Sequence, residues 1–370
     1  MTSLYPADMK TAGYLSVFSI VKKPRVCYNH KRNTESAGLN IYNLLEECPM
    51  HEVLHTLSKI GIVPVIAIDD AKKAVPLAKA LVAGGLPAAE VTFRTAAAEE
   101  AIRAIAAEVP EMVVGAGTVT SRERLDRALA AGSQFIVTPG FNPDTVKYGL
   151  DKGALMLPGT ATGGEMEQAM TLGLEVVKFF PAEDNGGIKK LKALAGPYRE
   201  LKWMPTGGVN TKNMMDYLSF DQIVACGGTW MVKKDLIEGE CWDEITAICK
   251  DAVKVMLGIQ LAHVGVNTES REEAERLAKL VSCMLGLSPR DTGKSWFAAD
   301  NAIEFMSHKG PGTMGHIGFK TNSVERCIYH LGLQGVEFNE DSITYNDKGA
   351  PKFVYLKGEY GGFAIHLVNK

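Results

Sequence analysis

The sequence predicts an α/β protein: a (β/α)8 TIM barrel followed by an α+β region of paired βαβββ modules. From residue 60 to about residue 230, short β-branched runs alternate with amphipathic helical segments. Polar and glycine residues recur at the ends of many of these runs, where a barrel carries its functional groups. Beyond the long helical segment that follows, residues 263–272 return in altered form at 316–325, which indicates a duplicated unit.

The barrel elements can be assigned in order along the chain. Amphipathic periodicity predicts helices that include 71–83, 97–107, 122–131 and 164–172, and a long helix over 242–257. A doubly wound open sheet is the alternative, but no GxGxxG follows the first strand. The eight predicted strands, each short, apolar and bounded by turn residues, are 63–68, 89–93, 113–119, 135–138, 155–158, 176–180, 202–205 and 223–226.

Composition divides the chain into three parts. Residues 1–49 have no sustained period, which predicts a disordered N-terminal extension or a start codon assigned too far upstream. Residues 50–257 form the predicted barrel, and residues 258–370 form the second predicted domain. Because a (β/α)8 barrel buries its own core, residues 50–257 are expected to retain activity alone.

Charge and cysteine content exclude several classes of protein. A net charge of -3 offers no basic surface for nucleic acid or for a membrane. The 7 cysteines are an odd number without a CxxC pair, which predicts reduced thiols in a cytoplasmic protein. The apolar runs are too short to span a bilayer, and the start does not have the pattern of a signal peptide.

Lys178 is the most informative residue, because it lies inside the apolar run 176–181. An ammonium among Val and Phe side chains is poorly solvated, so its pKa is expected to fall and a nucleophilic amine to form. Such an amine can make a Schiff base with a ketone. The alternative is a strand-end lysine that reaches water or meets a carboxylate. No histidine occurs from Gly61 to Leu261, so histidine-based chemistry is excluded there.

Two glycine-rich turns follow the seventh and eighth predicted strands, at 206–208 and 227–229. Many barrels bind phosphate at this location through backbone N–H groups. The alternative is that the glycines only allow tight turns.

The motifs at the strand ends resemble the 2-keto-3-deoxy-6-phosphogluconate (KDPG) aldolases. The resemblance covers roughly residues 50–255 and implies a class I aldolase, a lyase that needs no cofactor and forms a homotrimer. The implied reaction splits KDPG into pyruvate and glyceraldehyde 3-phosphate, and also 4-hydroxy-2-oxoglutarate into pyruvate and glyoxylate. The strings that carry the resemblance are EVTFRT at 90–95, VGAGTV at 114–119, TPG at 138–140, VKFFPAE at 177–183, GG at 186–187, PTGG at 205–208 and GGTW at 227–230.

The resemblance also implies roles for these residues. Lys178 would form the imine with the C2 ketone of a small phosphorylated 2-oxo acid. Glu90 would act as general base on the C4 hydroxyl and as a proton shuttle, and Arg94 and Thr118 would hold the carboxylate. A phosphate-binding isomerase, with Lys178 as an electrostatic catalyst only, is the alternative.

The remaining matched residues would surround the substrate. Phe180 would cover the imine, and Pro139 would shape the wall beside it. Thr229 stands where the family usually carries serine, which leaves the preferred aldehyde open. The residues expected to take the distal phosphate are Thr206, Gly207, Gly208, Gly228 and Thr229.

The duplicated C-terminal unit resembles the vicinal-oxygen-chelate family, which includes the glyoxalases. That resemblance implies that His263, Glu304, His316 and His366 hold one divalent metal such as Zn, Ni, Mn or Fe. The last position departs from the family's usual glutamate. The alternative is a ligand-binding regulatory module or an oligomer surface. The duplicated strings are HVGVNTESRE at 263–272 with HIGFKTNSVE at 316–325, and AIEF at 302–305 with AIHL at 364–367.

Overall fold

The computed structural model describes residues 51–370, and the predicted extension over residues 1–49 lies outside the described residues. Two eight-stranded sheets organise the chain, one parallel and one mixed. The strands of the first sheet are β1 (Ile62–Ile66), β2 (Ala88–Thr92), β3 (Val113–Gly117), β4 (Ile136–Thr138), β5 (Met156–Thr160), β6 (Val176–Phe179), β7 (Lys202–Pro205) and β8 (Cys226–Gly228).

The first sheet closes into a barrel. Each strand pairs in parallel with the next from β1 to β7, and β8 pairs with β1. Single bridges, Trp203 to Ile223 and Thr206 to Gly227, join the β7 and β8 segments. The predicted (β/α)8 barrel is therefore confirmed. Its strands are almost wholly buried because helices cover the outside and side chains fill the inside.

One helix precedes the first strand, and at least one helix follows every strand of the barrel. They are α1 (Glu52–Ile60), α2 (Ala74–Ala83), α3 (Ala98–Glu108), α4 (Arg122–Ala130), α5 (Pro143–Asp151), α6 (Gly163–Thr171), α7 (Gly187–Ala195), α8 (Met214–Leu218), α9 (Lys234–Glu238) and α10 (Trp242–Leu257).

Two predicted elements need correction. The helix predicted over 71–83 begins as a 3-10 turn, Ala71–Lys73, because Asp70 accepts the backbone N–H of Lys72 at 3.0 Å. The last barrel strand begins at Cys226 rather than at residue 223. Its two glycines have low strand propensity, yet both pair with β1. Glycine is needed at these two positions because a larger residue would overlap neighbouring side chains.

The second sheet contains the predicted pair of βαβββ modules. Its strands are β9 (Gln260–Asn267), β10 (Arg290–Asp291), β11 (Ser295–Ala298), β12 (Ile303–Met306), β13 (Gly315–Thr321), β14 (Phe338–Tyr345), β15 (Pro351–Leu356) and β16 (Phe363–Asn369), with helices α11 (Arg271–Met284) and α12 (Val324–Gly332). The strand order is β10-β11-β12-β9-β13-β16-β15-β14, so the first strands of the two modules, β9 and β13, meet antiparallel at the centre. Among residues 51–370, no helix has the length and apolar character needed to cross a membrane.

Candidate active site and candidate metal centre

Lys178 and Glu90 meet inside the barrel. Lys178 Nζ lies 3.0 Å from Glu90 Oε1 and 3.2 Å from Oε2. Their strands, β6 and β2, are four positions apart in the strand order and therefore face each other across the barrel. The two side chains are 6% and 2% exposed, so they form an ion pair screened very little by water. An amine beside a carboxylate in this position has a partner that can take and return its proton.

The neighbouring strands leave room for this pair. A Cβ at Gly117, at the end of β3, would lie 2.3 Å from Glu90 Oε1, so only glycine allows the observed rotamer of Glu90. Lys178 Nζ also lies over the ring of Phe180, 5.2 Å from its centroid. The sequence motif that contains Gly117 can be recognised from the sequence, but only the structure shows that the missing side chain of Gly117 leaves room for the Glu90 carboxylate.

The predicted carboxylate-binding residues lie at the carboxyl ends of their strands. Arg94 is exposed just after β2, and Pro139 is exposed just after β4. Thr118 follows β3 with a φ of 57°, a left-handed backbone that a β-branched residue rarely adopts. Its carbonyl accepts a hydrogen bond from Arg124 Nη1 at 3.3 Å, which helps to hold this strained residue.

The two glycine-rich turns are adjacent, because Thr206 bridges to Gly227. Gly207 and Gly208 have φ values of 100° and 77°, which other residues avoid. The hydroxyl of Thr206 is buried and has no hydrogen-bond partner among the residues the structure describes. Thr229 is exposed directly after β8. The barrel thus presents backbone N–H groups and two hydroxyl side chains at the end of β7 and β8.

Comparison with known proteins assigns this barrel to a family. The model of the family "KDPG and KHG aldolase" matches residues 53–248. The chain belongs to the KDPG and KHG aldolase family. The 2-dehydro-3-deoxy-phosphogluconate aldolase of Haemophilus influenzae is 44% identical over 205 residues, 55% of this chain and 97% of that protein. The KHG/KDPG aldolase of Escherichia coli is 45% identical over 193 residues, 52% of this chain and 91% of that protein.

Solved structures agree with this assignment. The KDPG aldolase of Legionella pneumophila, with pyruvate captured as a covalent carbinolamine intermediate, matches with a TM-score of 0.52 and 34% identity. The match covers 54% of this chain and 97% of that one. The KDPG aldolase of Zymomonas mobilis with 3-phosphoglycerate is 40% identical, with a TM-score of 0.50 over 54% of this chain and 94% of that one. These matches extend over little more than half of the chain.

A second cluster of candidate site residues lies on the mixed sheet. His263 Nε2 is 3.0 Å from His316 Nε2 and 3.4 Å from His366 Nε2. Glu304 Oε2 is 3.2 Å from His316 Nε2 and 3.4 Å from His263 Nε2. The structure therefore brings all four predicted metal-binding residues together, and they come from β9, β12, β13 and β16.

Two glycines create the space for the imidazoles. Strand pairing sets Gly265 between Glu304 and His316, and Gly318 between His263 and His366. A Cβ at Gly265 would lie 2.1 Å from His316 Cε1, and one at Gly318 would lie 2.6 Å from His263 Cε1. Each glycine stands two residues after a cluster histidine in the duplicated HxG string, so the sequence contained this signal.

Burial, neighbouring charges and hydrogen bonds shift the pKa values of several residues in the cluster. Burial lowers the pKa of His263, and it lowers the pKa of His366 to about 3, helped by the neighbouring His316. Burial opposes ionisation of Glu304, but hydrogen bonds from His316 and Ser295 outweigh it and lower the pKa of that carboxyl. These shifts favour neutral imidazoles at His263 and His366 beside an ionised Glu304, which are the forms that bind a metal.

The arrangement also fits a metal ion by distance. Two ligand atoms that are each about 2.1 Å from one ion lie roughly 3.0 Å apart at a right angle and about 3.4 Å apart at the tetrahedral angle. Four of the six pairs of ligand atoms, those of His263 with His316, His366 and Glu304 and that of Glu304 with His316, are separated by 3.0 to 3.4 Å and match these values. The ligand atoms of the three histidines all lie within 4.8 Å of one another. Sequence reasoning did not identify Ser295, whose hydroxyl donates to the second oxygen of Glu304 at 2.5 Å.

Proposed function

We propose that this chain is a class I aldolase that cleaves KDPG to pyruvate and glyceraldehyde 3-phosphate. Cleavage of 4-hydroxy-2-oxoglutarate to pyruvate and glyoxylate would use the same groups. The observation that carries the proposal is the buried pair of Lys178 and Glu90, 3.0 Å apart across the barrel interior. The names of the relatives favour this reaction over a phosphate-binding isomerase.

The pair accounts for each proton in the reaction. Glu90 takes a proton from Lys178, and the neutral amine attacks the C2 ketone to form a carbinolamine. Glu90 then returns the proton to the carbinolamine hydroxyl, which leaves as water and gives the protonated imine with Glu90 ionised again. Glu90 then removes the proton of the C4 hydroxyl, the C3–C4 bond breaks, and its electrons enter the imine to form an enamine. The aldehyde leaves, C3 regains a proton through Glu90, and water releases pyruvate from Lys178.

The residues at the strand ends would orient the substrate. Arg94 and Thr118 would hold the carboxylate that all substrates share, since a guanidinium binds a carboxylate through a fork of N–H donors. Phe180 would cover the imine and keep water away, and Pro139 would form the adjoining wall. The distal phosphate would be bound by Thr206, Gly207, Gly208, Gly228 and Thr229.

Trapping with pyruvate and borohydride tests this proposal. Borohydride reduces only an imine to a stable secondary amine, so mass spectrometry should find the adduct on Lys178. Lys178→Arg is the matched control, because it keeps the positive charge but does not form the imine. An active enzyme that gains no adduct at Lys178, or an Lys178→Arg variant with full activity, would contradict a Schiff-base mechanism.

We also propose that His263, Glu304, His316 and His366 bind one divalent metal. The convergence of the four ligand atoms supports this, whereas a regulatory module without a metal would not require it. A bound metal would act there as a Lewis acid toward an oxygen-bearing ligand. Metal analysis of the purified protein should give one metal per chain, and His366→Ala should lose it. Retention of the metal by His366→Ala would contradict the assignment.

We propose, on the fold and the resemblances, that residues 50–257 are the aldolase domain and residues 258–370 a glyoxalase-like domain. We further propose that the protein is a cytoplasmic homotrimer, as the family resemblance implies. Sedimentation of the purified full chain would test the oligomeric state. A monomer at the concentrations used for assay would exclude the trimer.

A further inference from the structure

Helix α12 places two basic side chains, half-buried Arg326 and buried His330, on the barrel floor, the end at which the β-strands begin. Arg326 donates from Nε to the backbone oxygen of Ser58 at 3.1 Å and from Nη1 to that of Leu218 at 3.4 Å. His330 Nε2 donates to the backbone oxygen of Ile60 at 3.1 Å. These three oxygens belong to the last turns of α1 and α8, whose carbonyls have no partner within their own helix. Helix α12 therefore caps two helices of the barrel.

The segment that leads into α12 caps a third helix. Thr321 Oγ1 donates to the backbone oxygen of Leu257 at 2.6 Å, and the backbone N–H of Asn322 donates to the same oxygen at 2.9 Å. The side-chain amide of Asn322 donates to the oxygen of Met256 at 3.0 Å. Helix α10 ends at Leu257, so its final carbonyls are paired with the C-terminal domain rather than with water.

The two parts also share one hydrophobic core. Val324 and Cys327 of α12 are fully buried in the same cluster as Leu57 of α1. Only Gly258 and Ile259 separate α10 from β9, so the connection has little freedom. The prediction that residues 50–257 retain activity alone took no account of these contacts across the floor.

The strands that carry proposed metal ligands also support α12. His316 lies on β13, which ends at Thr321, and His366 lies on β16, which ends at Asn369. The side chain of Asn369 accepts the backbone N–H of Val324, the first residue of α12, at 2.8 Å. A metal that ties β13 to β16 would therefore stabilise the base from which α12 contacts the barrel.

We propose that the C-terminal domain is a built-in stabiliser of the aldolase barrel, and that metal bound at the histidine cluster makes the barrel harder to unfold. The first part of this proposal, that docking of the C-terminal domain stabilises the barrel, is called the docking part and rests on the observed contacts alone. The metal part rests on the metal site proposed above. A ligand that binds only the folded protein stabilises every part that unfolds together with its site.

Tryptophan fluorescence can report the barrel alone. Of the 4 tryptophans, only Trp296 lies in the C-terminal domain, so all signal in a Trp296→Phe background comes from the barrel. The three that remain are Trp203, Trp230 and Trp242.

The docking part is tested in that background with Arg326→Met, which removes the guanidinium and keeps much of its volume. The barrel transition should move down by roughly 4 to 8 °C, because two partly buried carbonyls lose their donor. Arg276→Met, at an exposed position of α11, is the matched control and should leave the midpoint unchanged. An unchanged midpoint in a folded Arg326→Met variant would overturn the docking part.

The metal part is tested by comparing metal-free protein with protein loaded with Zn²⁺. The barrel midpoint should rise by several degrees on loading, and His366→Ala should abolish the rise. Bound Zn²⁺ at one per chain with no movement of the barrel midpoint would overturn the metal part alone. If no Zn²⁺ is retained, the proposed metal site is itself refuted and the metal part falls with it, while Arg326→Met still decides the docking part.

Discussion

Gly117→Ala should impair catalysis by displacing the Glu90 carboxylate while leaving every proposed reacting side chain chemically unchanged. The added Cβ would lie 2.3 Å from Glu90 Oε1, 2.7 Å from Cγ and 2.8 Å from Cδ. Ordinary contact begins near 3.4 Å, so the carboxylate must shift by about 1 Å. The backbone of Gly117 has no positive φ, so alanine fits the chain itself. The substitution therefore acts through the position of the carboxylate relative to Lys178.

The size of the effect follows from that displacement. A misplacement of about 1 Å costs on the order of 100-fold in rate, and a general base contributes roughly 100- to 10,000-fold in total. We expect kcat for KDPG cleavage to fall about 100-fold, which corresponds to about 2.7 kcal/mol of transition-state stabilisation. Overpacking of the core should cost about 1 to 3 kcal/mol of stability, so the variant should remain folded. Steady-state kinetics and thermal unfolding measure the two effects separately.

Two further variants make the test specific. Gly164→Ala, at a position where a Cβ meets nothing within 4 Å, controls for the chemical change and should keep full activity. Adding Glu90→Asp to Gly117→Ala shortens the displaced side chain and should recover part of the lost rate relative to Gly117→Ala. Full activity of folded Gly117→Ala would refute the argument that this carboxylate must stay beside Lys178.

Three other predictions concern separate parts of the molecule. Thr229→Val should raise KM for phosphorylated substrates only, whereas Arg94→Ala should impair every 2-oxo acid; equal losses in kinetic assays of both substrate types would contradict these roles. Gly318→Ala should weaken metal retention by about 10-fold or more, measured by chelator competition, with unchanged lyase kcat, because its Cβ would lie 2.7 Å from His366 Nε2. Burial lowers the pKa of His330 from 6.5 to about 4, so the unfolded state binds the proton more readily and stability falls as the pH drops from 6.5 toward 4. That loss should reach about 2 kcal/mol at pH 5 in denaturant titrations. The pH dependence should be weaker in His330→Gln, and equal slopes in both proteins would exclude this residue as the cause.

The sequence was sufficient to predict the barrel, because the periodicity of the apolar residues identifies the strands and helices, and the position of the polar residues identifies the strand ends. Short apolar strands alternating with amphipathic helices have few compact solutions, and the polar residues at strand ends then fall on one face. Lys178 and Glu90 are 88 residues apart, yet their places on the sixth and second strands already put them across one cavity. The last strand was misplaced because glycines give no strand signal, although closure of the barrel requires them there.

The sequence was less informative where function depends on the missing side chain of a glycine, or on a backbone group that is distant along the chain. Gly117, Gly265 and Gly318 matter because their missing side chains leave room for Glu90 and for the histidines. The repeated HxG string marks Gly265 and Gly318, but nothing in the local pattern distinguishes Gly117 from a glycine in a turn. The floor contacts were equally hidden, because Arg326 and Ser58 are 268 residues apart and a backbone carbonyl has no residue-specific signature.

The positions of the two sites restrict how one can affect the other. Lys178, Thr206 and Gly228 lie toward the carboxyl ends of the barrel strands, whereas Arg326 and His330 contact the opposite floor. The docked domain therefore has no direct route by which its metal ligands could touch a substrate bound at Lys178. An influence of metal on the lyase would then pass through the stability of the barrel and not through its chemistry. It follows that metal loading should lengthen the half-life of activity at elevated temperature and leave kcat at moderate temperature unchanged; a change in kcat would mean that the floor and the active site are coupled in some other way.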